Sequence, residues 1–150
     1  LAALRAATER WPESDAVQSS LCAIASWAGY RDEAIVAGRR AVQLDGGLPN
    51  SSVTLAYALA RANHADEARA LLAALESNTE LPPSPTQRAS AYLALGDRAL
   101  ARELIEFARL ADPAWRHIID LDPRLAELRL TPRRTPRLPA ARGIAARATV

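Results

Sequence analysis

Residues 29–34 read "GYRDEA", and the fold turns on what that stretch does further along the chain. Residues 63–68 read "NHADEA" and residues 96–101 read "GDRALA". A turn residue, a few polar positions and then an alanine recur, with Ala34, Ala68 and Ala101 lying 34 and 33 residues apart. No single helix or strand imposes such a spacing. A period of roughly 20–50 residues is the mark of a repeat architecture, in which each unit buries its apolar face against its neighbours.

Working outward from the three alanines, each unit resolves into two amphipathic segments of about a dozen residues around a tight turn. The units start near Asp15, Pro49 and Pro82 and span 15–48, 49–81 and 82–113. In the first, "SDAVQSSLCAIASWAG" carries Ser14 or Asp15 as N-cap and is followed by "DEAIVAGRRAVQL". The second pairs "NSSVTLAYALARA" with "DEARALLAALES", and the third pairs "TQRASAYLALG" with "DRALARELIEFARLA". Gly29, Asn63 and Gly96 hold the equivalent turn position. Glycine and asparagine most readily take the left-handed conformation that ends a helix. Ser84-Pro85, Asp112-Pro113 and Asp122-Pro123 each place a capping side chain before a proline suited to a first helical turn. The last two open the short helices "PAWRHIID" and "PRLAELR", which cap the repeats over 113–130. Before them all, "LAALRAATERWP" reads as the second helix of a preceding unit.

These positions resemble the tetratricopeptide repeat, a 34-residue helix–turn–helix unit, over roughly residues 1–112. The small residue of the first helix falls on Cys22, Ala56 and Ala89, and the large one before it on Leu21 and Leu55. Arg88 departs from that pattern in the third unit. The alanine of the second helix is Ala34, Ala68 and Ala101, and a later small or apolar position gives Ala41, Leu75 and Ala108. The resemblance implies an all-α, right-handed superhelical solenoid of about three repeats, with a partial helix before it and capping helices after it. Thirty-five-residue RNA-binding helical repeats are a near relative, but the spacing and the acidic body described next argue against them. The stretch "LADPAWRHIIDLDPRLAELRLTPR" is similar to the closing segment of repeat regions in bacterial signalling proteins. Such regions sit behind winged-helix, adenylate cyclase or kinase domains.

Composition agrees with close-packed helices: alanine dominates, and aromatic residues make up only 5%. All 19 basic residues are arginine. Five of them (133, 134, 137, 142 and 147) stand in residues 131–150 without an acid, leaving 14 arginines against 17 acids in the other 130 residues. The basic character therefore belongs to a tail, read as disordered, and the body is mildly acidic. No stretch approaches the roughly 18–20 apolar residues of a membrane span, and the N-terminus lacks the layout of a signal peptide. The lone Cys22 supports neither an internal disulfide nor a zinc site, which suits a cytoplasmic, reducing compartment. The chain starts at Leu1 without any methionine, as a piece of a longer protein would.

Catalysis needs a nucleophile, a base and an orienting group that converge, and the sequence offers no such set. His64 falls in a solvated turn. His117 stands three residues before Asp120, a spacing that suits a local pair better than a metal site. Asp32-Glu33 and Asp66-Glu67 complement helix dipoles and, as neighbours, point apart. Cys22 takes a packed position expected to leave it inert. "LDGGLPN" lacks the lysine of a phosphate loop. The chain reads as no enzyme, with no cofactor and no metal.

What remains is surface. The family resemblance implies a concave groove lined by the first helix of each unit. The first unit would offer Ser19, Ala23, Ser26 and Trp27, and the second Asn50, Val53, Tyr57, Ala60 and Arg61. The third would offer Thr86, Ser90, Leu93 and Ala94. Trp27, Tyr57 and Arg61 belong to the types enriched at binding hot spots. Packing between neighbouring units is an equally good reading of Trp27 and Tyr57. Lysine is absent, and Ser19 and Ala23 stand where a carboxylate clamp would need its ligands, so the implied partner is a helix or extended peptide. The leading expectation is a protein-interaction scaffold within a larger bacterial signalling or transcriptional regulator. Two alternatives stay open: nucleic-acid contact through the arginine tail, and an accessory segment of a cyclase or kinase whose catalytic domain lies upstream.

Overall fold

The structure, a computed structural model of the chain, describes residues 1–77, 83–112 and 114–128. Among these residues every regular element is helical: α1 (Ala2–Arg10), α2 (Asp15–Ala28), α3 (Arg31–Asp45), α4 (Pro49–Arg61), α5 (Ala65–Ser77), α6 (Pro85–Ala94), α7 (Arg98–Ala111) and α8 (Ala114–Leu121). A 3-10 helix, Pro123–Leu128, follows. The expected disordered tail, residues 131–150, lies outside the described residues.

Local chemistry sets the boundaries. The Ser14 hydroxyl accepts from the Val17 amide, which makes Ser14 and not Asp15 the cap of α2. Asp97 accepts from the Leu100 amide to open α7, and Asp112 and Asp122 accept from the amides of Ala114 and Arg124. Ser84 precedes α6, but its hydroxyl pairs with that of Thr86 and caps no amide. The turns follow the expected residues: Gly29, Asn63 and Gly96 have φ of 91°, 68° and 84°. Asn63 is the only non-glycine residue of positive φ among the described residues. The second short capping element is a 3-10 and not an α-helix.

Three hairpins, α2–α3, α4–α5 and α6–α7, pack along their first helices, α2 against α4 and α4 against α6. Their small positions explain how closely they approach. Cys22, Ala34, Ala41, Ala56, Ala68, Ala89 and Ala101 are all fully buried. Gly38 adds a contact that only glycine fits, since a Cβ there would lie 2.8 Å from Cys22 Sγ and 3.0 Å from Leu55 Cδ1. At the centre, α4 touches α2, α3, α5 and α6 and is buried at every residue from Ser51 to Ala60. Its hydroxyls turn back on the chain, Thr54 to the Asn50 carbonyl at 2.7 Å and Ser52 to that of Gly47 at 3.3 Å.

One ion pair repeats with the period. Arg5 on α1 holds Glu33 on α3 at 2.7 Å, and Arg39 on α3 holds Glu67 on α5 at 2.8 Å. Each member of the second pair lies 34 residues after its counterpart in the first. The acids opening α3 and α5 thus also tie successive second helices together. At the junction of α5 and α6 the pattern changes. Arg88, which departs from the repeat, donates to Glu76 at 2.8 Å, and the Tyr92 hydroxyl donates to the same oxygen at 2.6 Å.

Candidate functional site

The first helices of the three hairpins form one face, and the segment from α8 to the 3-10 helix lies against it at α6 and reaches Tyr57 of α4. After α7, α8 returns along that helix, and the 3-10 helix packs on α6, α7 and α8. Ile119, Leu125 and Leu128 enter the main apolar cluster with Val53, Tyr57 and Ile105, each fully buried or nearly so. Arg124 lies with its guanidinium carbon 5.7 Å from the Tyr57 ring centroid. Asp122 fixes that arginine through a 2.6 Å bond to Nη2 and bonds of 3.0 and 3.2 Å to Nε. Burial alone would lower the Arg124 pKa, but its bonds and charge contact with Asp122 outweigh that and raise it. Tyr57 is raised too, first by burial, against the opposing charges of Arg61 and Arg124.

This arrangement divides the expected groove. Trp27 is 52% exposed, and Asn50 and Arg61 are exposed. Ser19, Ala23, Leu93 and Ala94 are half-buried. Ser26, Val53, Tyr57, Ala60, Thr86 and Ser90 are instead buried, which corrects their reading as open groove. The physical reason is twofold. First helices that pack on one another bury the residues between them, and the Ser90 hydroxyl is already committed to the Thr86 carbonyl at 2.8 Å. Tyr57 is covered further by Arg124. The two readings of the aromatic pair therefore separate, with Trp27 at an open edge and Tyr57 in the core.

Among the described residues, two cavities open on this face and share Trp27, Pro123 and Arg124 in their walls. The larger, about 570 Å³, has Ala23, Ile24 and Trp27 of α2 on one side and Ile118 and Leu121 of α8 on the other. Ser19, Ser20, Thr54 and Gln87 supply uncharged polar groups, and Asp122 and Arg124 neutralise each other at its end. The buried Gln87 Oε1 has no hydrogen-bond partner among the described residues. The smaller cavity, about 270 Å³, joins Tyr57, Arg61, Ser90 and Leu93 to Ala126 and Glu127. Sequence reasoning missed Ile24, Gln87, Ile118, Leu121 and Arg124. Ile24 could have been found one helical turn before Trp27, and Ile118 and Leu121 as apolar residues surplus to a short helix.

The other chemical candidates stay apart. His64 and His117 are exposed, and Asp120 pairs with Arg109 at 3.1 Å instead of His117. No cluster of three or more metal-ligating side chains occurs among the described residues. Cys22 is fully buried, donates at 3.7 Å to the Thr54 carbonyl, and has its pKa pushed up to about 12 by burial. No described helix is long and apolar enough to cross a membrane. Compared with protein-family models, curated proteins and solved structures, the chain finds no match in any of the three.

Proposed function

We propose that this chain is a tetratricopeptide-like helical scaffold, its hairpins stacked as a right-handed superhelical solenoid, that binds a protein partner through the cleft between α2 and α8. The observation that carries this reading is the cleft itself. Trp27, Ile24, Ile118 and Leu121 are 52, 41, 48 and 79% exposed, and all four line one cavity. Large apolar side chains gathered around one cavity are a mark of an interaction site. With the rest of the lining apolar or uncharged except for the paired Asp122 and Arg124, the partner that fits is an apolar anchor side chain. The closing-segment resemblance supports placing the scaffold in a bacterial signalling or transcriptional regulator, where the cleft would hold a partner or another part of the parent chain.

Selection of helical peptides from a displayed library tests the proposal. Peptides recovered on the full chain are expected to lose about tenfold or more in affinity on Trp27→Ala, in line with a hot-spot aromatic. Because Trp27 is exposed, the thermal midpoint should hardly move. Peptides that bind equally well after Trp27→Ala and Leu121→Asp would remove the cleft from the function.

A further inference from the structure

The groove does not stand empty: part of it is filled by the chain that built it. We propose that Asp122–Leu128 is a built-in ligand of this face, and that the external partner carries the same pattern in a short helical turn. That pattern is a basic residue followed by leucines one and four positions on, as in Arg124, Leu125 and Leu128. The inference rests on reading this face as a binding surface, and it concerns the part around Tyr57, Arg61 and Leu93 that the segment covers, not the open cleft between α2 and α8.

Three observations carry it. Residues that the repeat pattern assigns to the groove, Trp27, Tyr57, Arg61, Ser90 and Leu93, share a cavity wall with Pro123, Arg124, Ala126 and Glu127 of the segment. The segment meets the face as a peptide ligand would, with Arg124 over the Tyr57 ring and Leu125 and Leu128 at 0% exposure against the main cluster. Its leucines are buried, but its backbone and its charged tie are weak. It is a six-residue 3-10 helix, a geometry with poorer hydrogen bonds than an α-helix, and its tie to the start of α7 is the Arg98–Glu127 pair, 56 and 63% exposed. By contrast α4, on the opposite side of the Tyr57 contact, has ten successive buried residues. Local opening draws on short elements with weak backbone hydrogen bonds, so this segment is the one to yield its place before the hairpins unfold. A partner then competes with a tethered copy of its own motif, and its apparent affinity falls by the fraction of time the face is uncovered.

The test uses the full chain and a fluorescent peptide of residues 112–128. In the Arg98→Glu/Arg124→Glu variant the Arg98–Glu127 pair becomes repulsive and the cation over the Tyr57 ring is lost. The peptide is expected to bind that variant about tenfold or more tighter than the unaltered chain, as release of a segment closed about 90% of the time or more requires. Equal affinity for the two, or binding to neither, overturns the built-in ligand and leaves the cleft proposal to its own peptide selection. Tighter binding that Trp27→Ala and Arg61→Ala both leave unchanged would overturn the groove reading, and this inference with it. Hydrogen exchange on the unaltered chain gives a check that needs no variant. Amides of 122–128 should exchange about tenfold or more faster than those of 53–59, and equal rates would make the segment a permanent part of the core.

Discussion

The two halves of this chain solve the same packing problem differently. From α1 to α5 the solution is periodic, with an Arg–Glu pair at 5/33 repeated at 39/67 and left-handed turns at Gly29 and Asn63. Fully buried small residues also stand at equivalent places, such as Cys22 with Ala56 and Ala34 with Ala68. From α6 onward the turn and the small buried residues persist at Gly96, Ala89 and Ala101, but the Arg–Glu pair does not recur. Arg88 replaces an apolar residue and joins a polar cluster with Glu76 and Tyr92, and the chain then folds back over its own first helices. A stack of hairpins always ends on an unpaired apolar face. Here α8 and the 3-10 helix supply cover, with Ile119, Leu125 and Leu128 buried in the main apolar cluster.

The largest expected effect separates the halves by where a cavity is felt. Leu59→Ala, at the buried centre of α4, should cost about 2–5 kcal/mol of global stability in denaturant unfolding. Leu125 is just as buried, yet Leu125→Ala should mainly speed exchange of the closing segment and lower the global midpoint less. Equal losses would make the two regions one cooperative unit. Next comes Gly38→Ala, whose Cβ must push against Cys22 Sγ and Leu55 and should cost about 1–3 kcal/mol. Adding Cys22→Ala should recover part of that loss, and strict additivity would mean the clash is not where the packing places it.

The junction cluster predicts a pH response. Burial, and then the bond to Glu76, push Tyr92 from 10.0 up to about 12, so the folded state favours the neutral phenol. That contribution is complete below pH 10 and is lost as pH rises from 10 towards 12. Glu76 is pushed up by burial, but the bonds from Tyr92 and Arg88 outweigh this and hold it below its ordinary 4.5. Its contribution is present above that value and is lost as the solution is acidified through its lowered pKa. Tyr92→Phe should flatten the alkaline limb of a midpoint-against-pH curve, and an unchanged limb would assign the alkaline loss elsewhere. The smallest effect belongs to the repeated ion pair. Arg39→Ala breaks a link whose side chains are 60 and 48% exposed and should cost at most about 0.5 kcal/mol, less in high salt.

Much of the periodic half was legible because its constraints are local or repeat. Left-handed turns select glycine or asparagine, capping selects serine or aspartate, and close helix crossings select alanine. Those residues stand where the packing needs them, and Ser14, Asp97, Asp112 and Asp122 cap as their types suggest. The ion pair was legible in principle from the shared spacing of Arg5 with Arg39 and of Glu33 with Glu67. The exposure of the expected groove residues was only half legible. A face assigned helix by helix does not say how closely neighbouring first helices pack, so Val53, Thr86 and Ser90 looked available when they are covered. Arg124 over Tyr57 left no mark in the sequence, since nothing local to either residue encodes a contact across 67 positions.

That contact is also where the account is most directly tested. A nuclear Overhauser spectrum of the full chain should show cross-peaks between the Tyr57 ring protons and the Arg124 side chain. Leu125 methyl protons should be close to the buried cluster in the same spectrum. A Tyr57 ring without an Arg124 neighbour, beside a Pro123–Leu128 segment showing only sequential contacts, would contradict a groove covered by its own chain.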